Sequence, residues 1–162
     1  MSNDLKFKIS HKVTDENTSN FTIKPLDRGY GITLGNSLRR TLLTAVPGAA
    51  ITNVKIEGAH HEFSTIEGVT EDVADVIMNL KGVRFHLFES SVEPIFIKVK
   101  GPKAFTAADI QAASDDFTIL NPDHHITDIA KGTTLEVELR LGIGKGYKSS
   151  EENKLNNSPV GM

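Results

Sequence analysis

Hydrophobic and polar positions alternate at the start of the chain. In LKFKISHKV (5–13), Leu5, Phe7, Ile9 and Val13 point one way, as in a half-buried strand. DENTSN (15–20) is a turn cluster, and FTIKPL (21–26) returns as a second strand with Phe21 and Ile23 inward, which predicts a hairpin. The period then lengthens. RGYGITLGNSLRRTLLTAVPG (28–48) predicts a helix loosened at its entry by Gly29 and Gly31, N-capped by Thr33 and stopped by Pro47 and Gly48. Leu34, Leu38, Thr41, Leu42 and Ala45 recur at helical spacing and form its apolar face. Asn36, Arg39, Arg40 and Leu43 fall on a different face, where two arginines accompany a leucine that the first face does not use. Solvated arginines are the plain reading; an interface is the functional one, because a guanidinium makes several directed hydrogen bonds while its stem packs on apolar surface.

AAITNVKIEG (49–58) reads as a strand and HHEFSTIEG (60–68) as a polar loop, with Ser64 and Glu67 at the spacing of a capping box. Thr70 is then expected to cap a helix over 71–81, with Glu71 and Asp72 in the first turn and Lys81 in the last. Its core stripe is Val69, Val73, Val76, Ile77 and Leu80, and Gly82 suits the position after its end. VRFHLFE (83–89) and EPIFIKVKG (93–101) alternate and predict a second hairpin. TAADI (106–110) is a helical turn, DFTIL (116–120) a short strand and TLEVELRL (134–141) the clearest strand, with Leu135, Val137, Leu139 and Leu141 on one face. Residues 149–162 are polar and irregular. The sum is an α+β fold of mixed or antiparallel sheets with two main helices.

Composition narrows the function classes. In 162 residues, 38% are hydrophobic and 24% charged, as in a globular protein, and no apolar run reaches the roughly 20 residues of a membrane span. MSNDLKFKIS has no hydrophobic signal region, so a cytoplasmic protein with no membrane partner is expected. The chain has no cysteine, which excludes disulfides and thiolate metal sites. The net charge of −3 comes without a basic cluster and without tryptophan, which argues against strong non-specific nucleic-acid binding.

Candidate catalytic motifs are weak. GIGKGY (142–147) lacks the spacing of a phosphate-binding loop, has Tyr147 where Ser or Thr belongs, and reads as a flexible surface loop. His60-His61 and His124-His125, with Glu62, form a conceivable metal set, but neighbours on a strand point to opposite faces and nothing in the sequence joins the two pairs. No nucleophile elbow is present. No cofactor and no resident metal are expected.

LDRGYGITLGNSLRRTLL (26–43) resembles the signature near the start of the alpha subunit of bacterial RNA polymerase. VKIEGAHHEFSTIEGVTEDVADVIMNLKGV (54–83), TAADI, NPDHHI (121–126) and GKGY (144–147) follow in the family's order, so the resemblance runs from about Phe7 to Gly161. It implies a non-catalytic subunit of DNA-directed RNA polymerase, a nucleotidyltransferase complex, on which the beta and beta prime subunits assemble. Residues 1–48 would be the first part of the dimerisation domain, and 49–162 an inserted α+β domain. Leu34, Leu38, Thr41, Leu42 and Ala45 would pack in a homodimer, or against full-length alpha. Asn36, Arg39, Arg40 and Leu43 would face beta, Arg40 above all, as would His61, Glu62, Ser64, Thr65 and Glu67. Asn79 and Lys81 would lie toward beta prime. Lys145, Gly146 and Tyr147 would touch a large subunit, with Lys145 replacing the family's usual arginine and so weakening any bidentate contact.

The family pattern continues past Pro159-Val160-Gly161 into the rest of the dimerisation domain and a DNA-binding domain. The expectation is therefore a fragment, with a first helix short of cover and no direct DNA binding. Two other readings follow from the same residues. One is an interaction module or decoy that pairs with full-length alpha. The other is a metal-dependent hydrolase using His60, His61, Glu62, His124 and His125.

Overall fold

The computed structural model describes residues 7–15, 18–88 and 93–153. The chain divides into two compact units, Met1–Ala45 and Val46–Met162. Among the described residues, no helix is long and apolar enough to cross a membrane.

In the first unit, β1 (Lys8–Asp15) and β2 (Thr18–Lys24) pair antiparallel, with Ile9 opposite Ile23 and His11 opposite Phe21. The hairpin forms as the alternation predicts, although both strands run into the turn cluster, and Leu5 lies outside the described residues. Its apolar side is open rather than half-buried, with Ile9, Val13 and Phe21 all exposed. A two-stranded ribbon is a single layer and buries neither face by itself. The helix α1 spans Tyr30–Ala45, so it starts three residues before the expected cap. Gly29, at φ +90°, makes the left-handed turn into it, and the Tyr30 N–H donates to Asp27 O at 3.1 Å. Thr33 is therefore inside the helix, where its carbonyl accepts from Ser37 Oγ.

The second unit is built on a five-stranded antiparallel sheet. Its strands are β3 (Pro47–Ile56), β4 (Phe85–Leu87), β5 (Ile95–Lys100), β7 (Phe117–Ile119) and β9 (Thr134–Lys145), in the order β5-β9-β3-β4-β7. A separate pair joins β6 (Lys103–Thr106) to β8 (His125–Ile129). The expected hairpin of 83–89 with 93–101 does not form. β4 lies between β3 and β7, while β5 pairs with β9 from Ile95 opposite Leu139 to Lys100 opposite Thr134. Period-2 alternation fixes which side chains face the core but not which strand is the neighbour. Lys98 and Glu136, on the solvent side of that pairing, form an ion pair at 2.5 Å.

One sheet face and the β6–β8 pair enclose the core with α2 (Val73–Lys81) and α3 (Ala107–Gln111). Val73, Val76 and Leu80 of α2 are buried as its stripe requires, and Val69 and Ile77 pack at its margin. Asp72, not Thr70, caps this helix, accepting the Asp75 N–H at 2.8 Å. Gly82 ends it in right-handed conformation. Glycine leaves room there for another reason: a Cβ would lie 2.5 Å from His124 Nε2 and push that ring off its bond to Asn79 O. No helical turn forms at Ser64, whose hydroxyl instead donates to His61 O at 2.6 Å.

Two further expectations change at the end of the chain. The segment 142–145 is not a loop but the end of β9, paired with Pro47–Ala50, and the chain turns away at Gly146, at φ +65°. Ser150–Asn153 forms a short helix, α4, closed by reciprocal bonds between Ser149 and Glu152. The Pro159-Val160-Gly161 motif lies outside the described residues.

Candidate functional site

α1 buries no residue along its 16 positions. On its apolar face Leu34 is half-buried, while Leu38 and Leu42 are 44% and 64% exposed. The other face carries Asn36, Arg39, Arg40 and Leu43, all exposed, with Leu43 at 65%. Neither guanidinium has an ion-pair partner among the described residues. Ile32 is a residue that the sequence pattern leaves out of this face. It is four residues before Asn36 and eleven before Leu43, so it continues the second stripe, and it is 76% exposed. The face is therefore apolar at both ends and cationic between, which suits a protein surface with matching apolar sockets and a carboxylate.

In the second unit, the loop after β3 is held at both ends while its tip stays open. At its start Ala59 N–H donates to Ile56 O, and in its middle Val73 N–H donates to Ser64 O. Its exit adds to the β8 side: Val69 bridges Ile129, Ala130 N–H reaches Gly68 O at 2.8 Å and Thr70 N–H reaches Asp128 O at 3.0 Å. Gly68 sits at φ +78°, and a Cβ there would overlap the Thr133 side chain, so the exit fits only glycine. His61, Glu62, Thr65 and Glu67 are exposed and Ser64 half-buried. His60, His61 and Glu62 rim a concavity whose apolar lining comes from β3 (Val54, Ile56) and α2 (Val73, Ile77). Phe63, which the motif match alone does not single out, is 79% exposed beside His61. An aromatic alone in a polar loop is the available signal, since such residues anchor interfaces.

The end of α2 separates two residues that the sequence places together. Lys81 is exposed. The Asn79 side chain is committed inside the unit, its Nδ2 donating to Ile126 O at 2.8 Å, while the Asn79 backbone carbonyl meets His124 Nε2 at 2.8 Å. Arg84 and Asn121 complete this junction by donating to Gly82 O. The NPDHHI block thus serves to tie α2 to β8. Lys145, Gly146 and Tyr147 are exposed where β9 ends beside Pro47.

The two histidine pairs are not brought together. His60 and His61 rim the concavity, His124 joins the α2 junction, and His125 sits between two carboxylates instead. Its Nδ1 is 3.9 Å from Glu71 Oε1 and its Nε2 is 3.5 Å from Asp128 Oδ1. Glu71 Oε2 accepts from the buried Thr127 hydroxyl at 2.6 Å and from the Asp128 N–H at 3.0 Å. Partial burial pushes the Glu71 carboxyl up, but those two bonds, its own N–H and the His125 charge outweigh it and leave it below the ordinary 4.5. Below pH 4.5 the unfolded chain takes up a proton that the folded chain resists, so stability falls as pH drops through the folded value. Urea midpoints measured between about pH 5 and pH 3 should fall less steeply for Glu71→Gln than for the native chain; equal slopes would remove this role.

The strands and helices make an antiparallel α+β fold with apolar and charged side chains exposed on its surface. The family model for the RNA polymerase Rpb3/RpoA insert domain matches residues 54–162, and the chain belongs to that family. It is 51% identical over 142 residues to the DNA-directed RNA polymerase subunit alpha of Salinibacter ruber, covering 88% of this chain and 43% of that protein. The same subunit of Limosilactobacillus reuteri is 50% identical over 145 residues, covering 89% and 46%. That of Chloroherpeton thalassium is 47% identical over 141 residues, covering 87% and 43%. The chain thus spans less than half the length of the curated relatives it matches.

Proposed function

We propose that this chain is a non-catalytic assembly platform of bacterial DNA-dependent RNA polymerase, acting in the cytoplasm. In this reading Leu34, Leu38, Thr41, Leu42 and Ala45 pack against a second copy or a full-length alpha subunit. Asn36, Arg39, Arg40 and Leu43 engage beta. The loop residues His61, Glu62, Ser64, Thr65 and Glu67 engage beta as well. Lys81 at the end of α2, an end that Asn79 ties to Ile126 of β8, and the Lys145–Tyr147 corner engage beta prime or the adjoining large subunit. The observation that carries this is α1, a 16-residue helix with two distinct faces and no buried residue. A helix of that kind gains most of its stability from surfaces packed on it rather than from propensity. The names of the relatives support the identity of the complex.

Size-exclusion chromatography with light scattering tests the reading, on the chain alone and mixed with isolated beta subunit. A dimer that moves to larger mass with beta is expected. A monomer whose elution ignores beta would overturn the platform reading for this chain.

A further inference from the structure

We propose that Glu71, His125 and Asp128 form a Zn2+-class metal site that ties the start of α2 to β8. One donor atom from each of the three lies within 4.8 Å of the others. Bonds of about 2.0–2.2 Å to a tetrahedral zinc place its ligand atoms about 3.4 Å apart. His125 Nε2 and Asp128 Oδ1, at 3.5 Å, already hold that spacing. Glu71 Oε1 lies 3.9 Å from the other ring nitrogen, Nδ1, so a single ion requires the exposed His125 ring to turn one nitrogen toward both carboxylates.

Glu71 is the oriented member. Its Oε2 is occupied by the Thr127 hydroxyl and the Asp128 N–H, which fixes the carboxylate and leaves Oε1 toward His125. Hydrogen bonds behind a ligand are what orient carboxylates at metal centres. Thr127 is fully buried, so this support is built into the core and not contributed by a mobile surface group. One imidazole and two carboxylates favour zinc over magnesium or calcium, which take oxygen ligands alone, and two anionic ligands balance a divalent charge. The remaining coordination position would hold water. The site stands independently of the polymerase reading.

Isothermal titration of the full chain, stripped with chelator, with ZnCl2 is the test. One saturable site per chain is expected. His125→Ala and Asp128→Asn should each weaken it more than about 10-fold, since each removes a ligand, and Thr127→Val should weaken it about 10–100-fold through Glu71 alone. The double variant of the other pair, His60→Ala with His61→Ala, should bind as the native chain does. Circular dichroism checks folding, and His125→Ala decides if Thr127→Val does not fold, because that ring is exposed. Absence of saturable binding, binding that survives His125→Ala, or binding lost only in the His60/His61 variant would each overturn the site.

Discussion

Phe105→Ala should destabilise the second unit by about 3–5 kcal/mol, the range for deleting a large aromatic side chain from a packed core. Phe105 is completely buried on β6 and sits opposite Thr127 of β8. Two residues along, Ala107 and then Ile110 of α3 are also fully buried, so the ring lies where β6, β8 and α3 converge and no solvent-facing group can move in. Domains of this size hold about 5–15 kcal/mol in total, so one such loss removes a large share. Phe63→Ala supplies the contrast, because a side chain in solvent should change stability by less than about 0.5 kcal/mol. Urea unfolding followed by circular dichroism measures both. A Phe105→Ala loss under about 1 kcal/mol would mean that β6 does not pack as described.

The elements legible in the sequence are those whose side chains report a single period. β9 alternates from Thr134 to Leu141, with Leu135, Val137, Leu139 and Leu141 all buried, and its end at 142–145, where the alternation stops, is the part that reads as a loop. α2 shows a clean stripe at Val73, Val76 and Leu80. β6 and β8 do not read as strands because they break the rule: in β8, Ile126 and Thr127 are adjacent and both fully buried, since one packs in the core while the other bonds to Glu71. β4 and β5 are readable as strands but not as partners of β3, β7 and β9, because pairing is decided by the layer they build and not by their own pattern. The helix starts slip for local reasons. Asp72 competes with Thr70 for the same cap, and Gly29 starts α1 before Thr33 can cap it.

The surfaces are legible where chemistry and spacing agree, as on α1, where the second stripe can be counted from residue numbers. Asn79 shows the opposite case: nothing in NLKG reveals that its amide is taken by a carbonyl of β8, a residue distant in sequence. The Glu71–His125–Asp128 group is hidden for the same reason. In sequence His125 pairs naturally with its neighbour His124, whereas in the fold His124 lies just before β8 and bonds to the end of α2, and His125, the first residue of the strand, faces Glu71 and Asp128.

Arg40→Ala should weaken binding of the beta subunit by about 30-fold, near the ~2 kcal/mol that marks an interface hot spot. Arg40 is exposed and has no ion-pair partner among the described residues, so its guanidinium can meet a partner carboxylate without first breaking an internal salt bridge. Leu43, exposed on the same face, would give such a contact an apolar margin that excludes water and strengthens it. Folding is not at risk, because α1 buries nothing and alanine has the highest helix propensity. Arg40→Lys should recover only part of the loss, since an ammonium cannot make the planar two-bond contact. Leu38→Asp separates the two faces: it should abolish self-association through the apolar stripe while leaving the Arg40 side chemically intact. Titrating each variant into labelled beta, with light scattering for mass, reads both effects in one series. Unchanged affinity for Arg40→Ala would sink the assignment of this face to beta. Loss of beta binding in Leu38→Asp alone would show that the dimer, not the arginine face, is what beta recognises.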